Sequence, residues 1–488
     1  RNFFPILLFK FFNQSNLFYK RVKLSSVKYW DFYYSNSFNC QMKKHFITFQ
    51  FITCFFSICN AQIYDLPECI EIALERKRTL VSADLDVQSA TKQVIGSYSG
   101  VLPSVSFSTN GGKTKYPNQE SIVPDLINLE IDTISSGESS YMSAGLSINK
   151  SIYNGGQSVN AIKQAKINLE ISKLRERNTK ILVIQNVTRS YYSLLKSQEL
   201  LDVAKENLIL SQKQIDLVQK QFELGSVSKT DFLKAKVSVG QARVELLNRE
   251  TSLEASRRQL FNDMGMIDFG QSIQARSKEW SPTSIPTSAE ALTLLKEQNP
   301  NILIQQSRIQ LNKLQVKIAK GMRSPSIFAS LDYSANGDNS EELKEAFKDD
   351  WRFGVNMGVT LPLYSGNSLS SAQQRAKIEQ QKSENDYISN INDLRVQIEL
   401  IRKSILNYAE IIPINQEVVL SAEEDLKLVQ EKYSVGSATI LEVLDAQVSL
   451  IRSNSSLINI IHDARVEEMN LKAILGVLDL EYQNKEEQ

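Results

Sequence analysis

Tyr433-Ser-Val-Gly436-Ser-Ala-Thr-Ile-Leu-Glu442-Val-Leu-Asp445-Ala-Gln447 occurs in this chain in two versions. Its counterpart, Phe222-Glu-Leu-Gly225-Ser-Val-Ser-Lys-Thr-Asp231-Phe-Leu-Lys-Ala-Lys236, lies 211 residues earlier. In both, a long run of heptad-like apolar spacing ends at a glycine, crosses a few small polar residues and restarts as a helix. Leu233 aligns with Leu444, Ala235 with Ala446, and Asp231 with the acidic Glu442. The chain therefore reads as two copies of one unit, each folded about a helical hairpin.

Working outward, the 211-residue register runs from Ile152-Tyr153-Asn-Gly155 and Leu363-Tyr364-Ser-Gly366 to Leu260…Gly265 and Leu471…Gly476. Further upstream, Leu102-Pro103-Ser-Val-Ser-Phe107 aligns with Ser324-Pro325-Ser-Ile-Phe328 at a shift of 222. The difference falls between Pro103 and Tyr153, in one loop, where extra length costs little. Each unit opens with a helical pattern, Leu66 through Val94 and Ser288 through Ile318, which the prolines at 103 and 325 bring to an end. Unit boundaries are expected at 62–281 and 282–479. Pro282 and Pro286 sit in the linker, 266–287, and 480–488 form a polar tail.

Strands are expected at about 103–112, 141–152, 325–336 and 351–364, where apolar and polar residues alternate. Val105 and Phe107 oppose Ser104, Ser106 and Ser108, and Met142, Ala144, Leu146 and Ile148 oppose Ser143, Gly145 and Ser147. Ile327, Ala329, Leu331 and Tyr333 form a third row, and Phe353, Val355, Met357, Val359 and Leu361 a fourth. Period-two alternation makes one apolar and one polar face. It fits a soluble sheet on a core or a barrel wall between lipid and water.

The helices weigh on that choice. From Gln157 to Leu224 the chain has no proline or glycine, enough for a rod of roughly 100 Å. Ile181, Ile184, Val187, Tyr191, Leu194 and Leu201 recur mostly at spacings of three and four. A rod of that length cannot fold inside a compact domain and must project from the sheet. The second copy carries Pro413 inside the matching run, so a kink is expected after Ile412.

The 488 residues carry a formal net charge of +1, which gives no electrostatic argument for nucleic acid. Met42-Lys-Lys-His followed by an apolar stretch ending at Ala61 reads as a secretory signal peptide, residues 42–61. Residues 1–41 then read as translated upstream sequence. Beyond Ala61 only Cys69 remains of the cysteines, so no intramolecular disulfide is expected and the thiol reads as a core residue. No later stretch is apolar enough for a spanning helix, which leaves β-strands for any membrane insertion.

Chemistry-bearing patterns are few. His462 is the one histidine beyond the signal segment, and there is no metal-ligand spacing, nucleophile elbow or phosphate loop. No cofactor or enzyme activity is expected. Gly111-Gly112 and Gly155-Gly156 read as turns or strand ends. At the tips, Thr439-x-x-Glu442 has capping-box spacing and Ser228-x-x-Asp231 is its analogue. Capping accounts for Glu442 and Asp231, but less well for Asp445, one turn further in. Glu442 and Asp445 share a helix face.

Taken together, the Leu66–Leu74 opening, the proline-led strands, both strand-to-helix junctions and both tip motifs resemble the TolC family of outer-membrane efflux channels over residues 62–478. The resemblance implies an α+β membrane protein in the outer membrane of a Gram-negative bacterium. It would be a homotrimer whose chains each give four strands to a shared 12-stranded β-barrel in outer-membrane lipid, continued by a periplasmic α-helical barrel. It implies a passive exit duct for an efflux or type I secretion system, fed by an inner-membrane pump through a periplasmic adaptor. Gly225, Ser226, Gly436 and Ser437 would dock that adaptor. Glu442 and Asp445 would ring the pore entrance, and Asp231 and Tyr433 would help hold it shut. Where some members carry an arginine two residues after the second glycine, this chain has Ala438, so a link through that arginine must be absent or replaced. The alternative is a soluble periplasmic coiled-coil scaffold or adaptor, which would not need four symmetrically placed alternating strands.

Overall fold

The computed structural model describes residues 62–115, 120–125, 130–135, 137–267, 273–275 and 285–483. The expected upstream segment and signal peptide, part of the linker and residues 484–488 lie outside the described residues. The first unit runs β1 (Gln62–Tyr64), α1 (Leu66–Arg76), α2 (Arg78–Ser97), β2 (Ser104–Lys115), β3 (Glu120–Asp125), β4 (Glu130–Ser135), β5 (Glu138–Asn154), α3 (Gln157–Glu223) and α4 (Lys229–Asp263). After β6 (Ile273–Ala275), the second runs α5 (Ser288–Gln298), α6 (Pro300–Gly321), β7 (Ser326–Gly337), α7 (Ser340–Asp349), β8 (Arg352–Thr360), α8 (Ser368–Ser434) and α9 (Ile440–Leu475), with α10 (Leu480–Gln483) at the end.

The opening helix of each unit is broken where a single helix was expected. Lys77 and Asn299, 222 residues apart, leave the helical region at nearly the same ψ, 117° in both. Each break residue ties its helix to the end of its own hairpin. Lys77 donates to the carbonyl of Asn262 and Asn299 to that of Ile474, both at 2.6 Å. The helix starts repeat as well: Glu68 accepts from the Asp65 N–H at 3.2 Å, and Glu290 from the Thr287 N–H at 2.8 Å.

Beneath these helices lie two cores built on one plan. Cys69, Ala73, Val187, Leu194, Leu260 and Met264 are buried in the first. Ala291, Leu295, Ile398, Ile405, Leu471 and Leu475 take the matching places in the second. Burial pushes the Cys69 thiol up to about 12, so the group stays a neutral packing residue. Across the units, Arg177 on α3 meets the fully buried Asp479 carboxylate at 2.8 Å. The same guanidinium donates to the carbonyls of Gln298 and Gly476. His462 is packed, with Nε2 2.9 Å from Glu199. Among the described residues no group could hold a metal ion, and no helix is long and apolar enough to cross a membrane.

Both long helices have 67 residues, roughly 100 Å each at 1.5 Å per residue. Pro413 does not end the second one, which runs unbroken to Ser434. A proline removes one i→i−4 bond, here the one to the Ala409 carbonyl, and the turns on either side keep theirs. The hairpins meet chiefly through α3 against α9, and α6 packs on both α3 and α8.

The four long strands form one antiparallel sheet in the order β2–β5–β7–β8. Its register places Val105, Ile148, Leu331 and Val355 in one cross-strand row and Phe107, Leu146, Tyr333 and Phe353 in the next. Protein leaves most of this face bare: Phe107, Val355 and Met357 are 70%, 67% and 70% exposed. On the other face Ser106 and Ser147 share a hydrogen bond of 2.7 Å, and Asp332 accepts from Ser330 and Asn356. Gly111 and Gly112 lie inside β2, paired with Met142 and Tyr141, rather than in a turn. β8 stops at Thr360, short of the expected 364. Part of the expected linker pairs as β6 in parallel with β1, and β3 and β4 form a hairpin beyond the sheet.

At the junction of β5 and α3, Gly155 has φ +66°, and a Cβ there would overlap the backbone of Gly321 at the end of α6. Glycine is required both for the conformation and for the crossing. Its counterpart pair is relaxed by one residue: Asn367, at φ 67°, replaces Gly156, a change asparagine tolerates.

Candidate functional site at the hairpin tips

The hairpins close at Gly225 and Gly436, with φ of +73° and +80°. No atom lies within 4 Å of a Cβ built at either, so glycine serves conformation here and not space. Ser226 N–H donates to the Gln221 carbonyl at 2.8 Å, and Ser437 N–H to that of Lys432 at 2.9 Å. These bonds end both helices in the same turn and leave Ser226 and Ser437 on the exposed tips.

Each return helix starts on a hydroxyl cap. Thr439 accepts the Glu442 N–H at 3.4 Å. The Glu442 carboxylate accepts from the Thr439 hydroxyl at 2.8 Å and from its N–H at 3.2 Å. Those bonds, the hydroxyl's first, hold the Glu442 carboxyl below the usual carboxylate range. Asp231 likewise accepts from the Ser228 hydroxyl at 2.7 Å. Asp445 is exposed one turn on, and its carboxylate makes no hydrogen bond or ion pair among the described residues. Of the two carboxylates expected at the entrance, one is engaged in its own helix cap and the other is unengaged.

Tyr433 is 7% exposed in a cluster with Val218, Ala235, Ile440, Val443 and Ala446, drawn from both hairpins. Its hydroxyl donates to Gln221 Oε1 on the first hairpin at 2.9 Å. Burial raises its pKa, and the nearby negative charge of Asp231 adds to the effect. Asp231 thus lies close enough to act electrostatically, while the hydrogen bond goes to Gln221. The matching Phe222 stacks instead on Phe232 of its own hairpin, 5.6 Å between ring centroids. Ala438 packs against the same cluster.

A second link between hairpins had no reading from sequence. Gln447, 4% exposed, donates to Asn207 Oδ1 at 2.7 Å and to Ser211 Oγ at 2.9 Å on α3. Its only signal is a departure from the repeat, since the matching residue is Lys236. Gln447 and Asn207 floor a groove of about 630 Å³ between α4 and α9, walled by Leu233, Val237, Leu441 and Val448.

Residues 69–266 and 291–477 match the family described as Outer membrane efflux protein. The chain belongs to that family. It is similar to Outer membrane protein TolC of Vibrio cholerae, 22% identical over 85% of this chain and 91% of that protein. It is also similar to Cation efflux system protein CusC of Escherichia coli O157:H7, 23% identical over 83% and 85%. The CmeC outer membrane channel of Campylobacter jejuni shares the fold, with a TM-score of 0.74 and 16% identity over 86% of this chain and 89% of that one. The chain is an outer-membrane exit duct of an efflux system, with its α-helical part extending into the periplasm. That assignment removes the soluble-scaffold alternative. Members of the family are channel proteins, not enzymes.

Proposed function

We propose that three copies of the chain form a passive duct whose closed end is the ring of hairpin tips. The carrying observation is the sheet: its strands are apolar on one uncovered face, and among the described residues β2 and β8 each pair on one side only. In lipid every backbone group needs a partner, so these edges are closed by other copies, four strands from each of three giving a 12-stranded barrel. The two 67-residue helices of each copy continue the wall towards an inner-membrane pump.

At the tips, Gly225, Ser226, Gly436 and Ser437 form the surface that meets a periplasmic adaptor. Asp445 repeated around the axis forms the cation-attracting constriction, with Glu442 behind it as cap and secondary charge. Tyr433, Gln221 and Gln447, with Asp231 adding its field, hold the closed arrangement where Ala438 offers no charge. Detergent-extracted outer membranes run unheated and heated test the assembly. A band near three chain masses that collapses on heating is expected, and a monomer under both conditions overturns it. A photocrosslinker at Ser437 tests docking: an adduct with an adaptor supports it, and its absence in cells with active efflux counts against it.

A further inference from the structure

The short helix α7 sits where the sequence suggested only a connection between β7 and β8. Its Leu343 and Ala346 are buried against Ala144 and Ala335, with Met142 and Phe347 completing the cluster. Ala144 and Ala335 are cross-strand partners, and period-two alternation places them in the rows of Leu146, Tyr333 and Leu331. These are the rows of the face that Phe107, Val355 and Met357 leave bare. Consequently α7 packs on the outside of the wall and not on the polar face carrying Ser106, Ser147 and Asp332. It also lies at the end of the sheet remote from the long helices, since β5 reaches α3 through Asn154 at its opposite end.

The other side of α7 is charged throughout: Glu341, Glu342, Lys344, Glu345, Lys348 and Asp349 are exposed. Asn339 fixes the helix start by accepting from the Glu341 and Glu342 N–H groups at 3.0 and 2.9 Å. Beneath it an aromatic group straddles the boundary between charge and apolar wall. Tyr333 lies 5.8 Å from Phe347 and 5.7 Å from Trp351, centroid to centroid. Trp351 is 51% exposed on that face. Amphipathic rings favour the level where hydrocarbon meets headgroups, and the charged outer side of α7, whose apolar side the sheet already covers, needs headgroups or water rather than hydrocarbon.

We propose that α7 is a lipid-contacting collar: it lies in the headgroup layer of the outer leaflet, with Trp351 at the upper limit of the hydrocarbon. The occupant is lipid because the collar is continuous with the apolar face that the bilayer must cover. The inference rests on the barrel-wall reading of the sheet.

The test uses the intact chain with Trp280→Phe, leaving Trp351 as the reporter beyond Ala61, in phosphatidylcholine vesicles brominated near the headgroup or near the chain end. Trp351 emission should fall at least twofold with shallow bromine and less with deep bromine. No quenching by either, or stronger quenching by deep bromine, overturns the collar. Should Trp280→Phe fail to assemble, a nitroxide at Lys344→Cys serves, since Cys69 is buried and inert. Exposure to an aqueous nickel chelate below that of a water-exposed tip site supports the collar, and equal exposure overturns it. A nitroxide at Met357→Cys separates the two readings. If it reports lipid while the Lys344 site reports free water, the collar alone fails; if it reports water, the barrel wall fails with it.

Discussion

The Tyr433 hydroxyl donates to Gln221 Oε1 at 2.9 Å, joining the end of one long helix to the end of the other across 212 residues of sequence. It is a bond between hairpins, so it must break or stretch if the hairpins splay. The phenol is well buried, which makes its loss felt: a net cost of about 1 kcal/mol follows from removing one such bond. Tyr433→Phe keeps the ring packing and removes only the bond. Basal conductance in planar bilayers should rise, with the thermal midpoint slightly lowered. An unchanged closed level would show that the tips are held by other means.

Glu442 gives the tips a pH dependence of defined sign. Its folded pKa lies below the unfolded one, so its contribution is complete above the ordinary carboxylate range. It is lost as pH falls through the depressed value. Glu442→Gln should therefore melt earlier than the parent protein at pH 7, and the two should converge in acid. A gap that is the same at both pH values would mean that the cap does not depend on charge.

The glycines separate conformation from contact. Gly436→Ala meets no atom and should cost about 1 kcal/mol of left-handed strain, leaving assembly intact. Gly155→Ala places a methyl into the Gly321 backbone and should abolish the heat-stable assembly. Equal stability of the two variants would contradict the crossing.

The partly exposed Arg177 pairs with the fully buried Asp479 and also satisfies two helix-end carbonyls. Arg177→Ala leaves a carboxylate without its partner and should destabilise by about 3 kcal/mol or more, read from chemical unfolding. A loss below about 1 kcal/mol would place the pair among exposed ones.

Much of this architecture was legible because periodicity is local information. Alternation at Phe353–Leu361 and the long uninterrupted run after Gln157 each prescribe an element without any tertiary contact. Alignment of the two units added the tips. What escaped is of two kinds. The break at Lys77 has no proline beside it, unlike Asn299-Pro300, and shows only once the units are overlaid. Gln221, Gln447 and α7 owe their roles to partners more than a hundred residues away or on adjacent strands, which no window of sequence contains. The acidic tip residues fall between: the cap at Glu442 was readable, whereas the lack of any partner for the Asp445 carboxylate among the described residues required the structure.

The duct with an acidic entrance is tested most directly by divalent-cation block of single-channel current, comparing Asp445→Asn with Glu442→Gln. In the proposed trimer, the three Asp445 carboxylates around one axis should dominate the attraction for a multivalent cation. Asp445→Asn is expected to weaken block by roughly tenfold or more, about 1.4 kcal/mol, and Glu442→Gln by distinctly less. Block unaltered by Asp445→Asn would contradict the placement of the constriction at the tips.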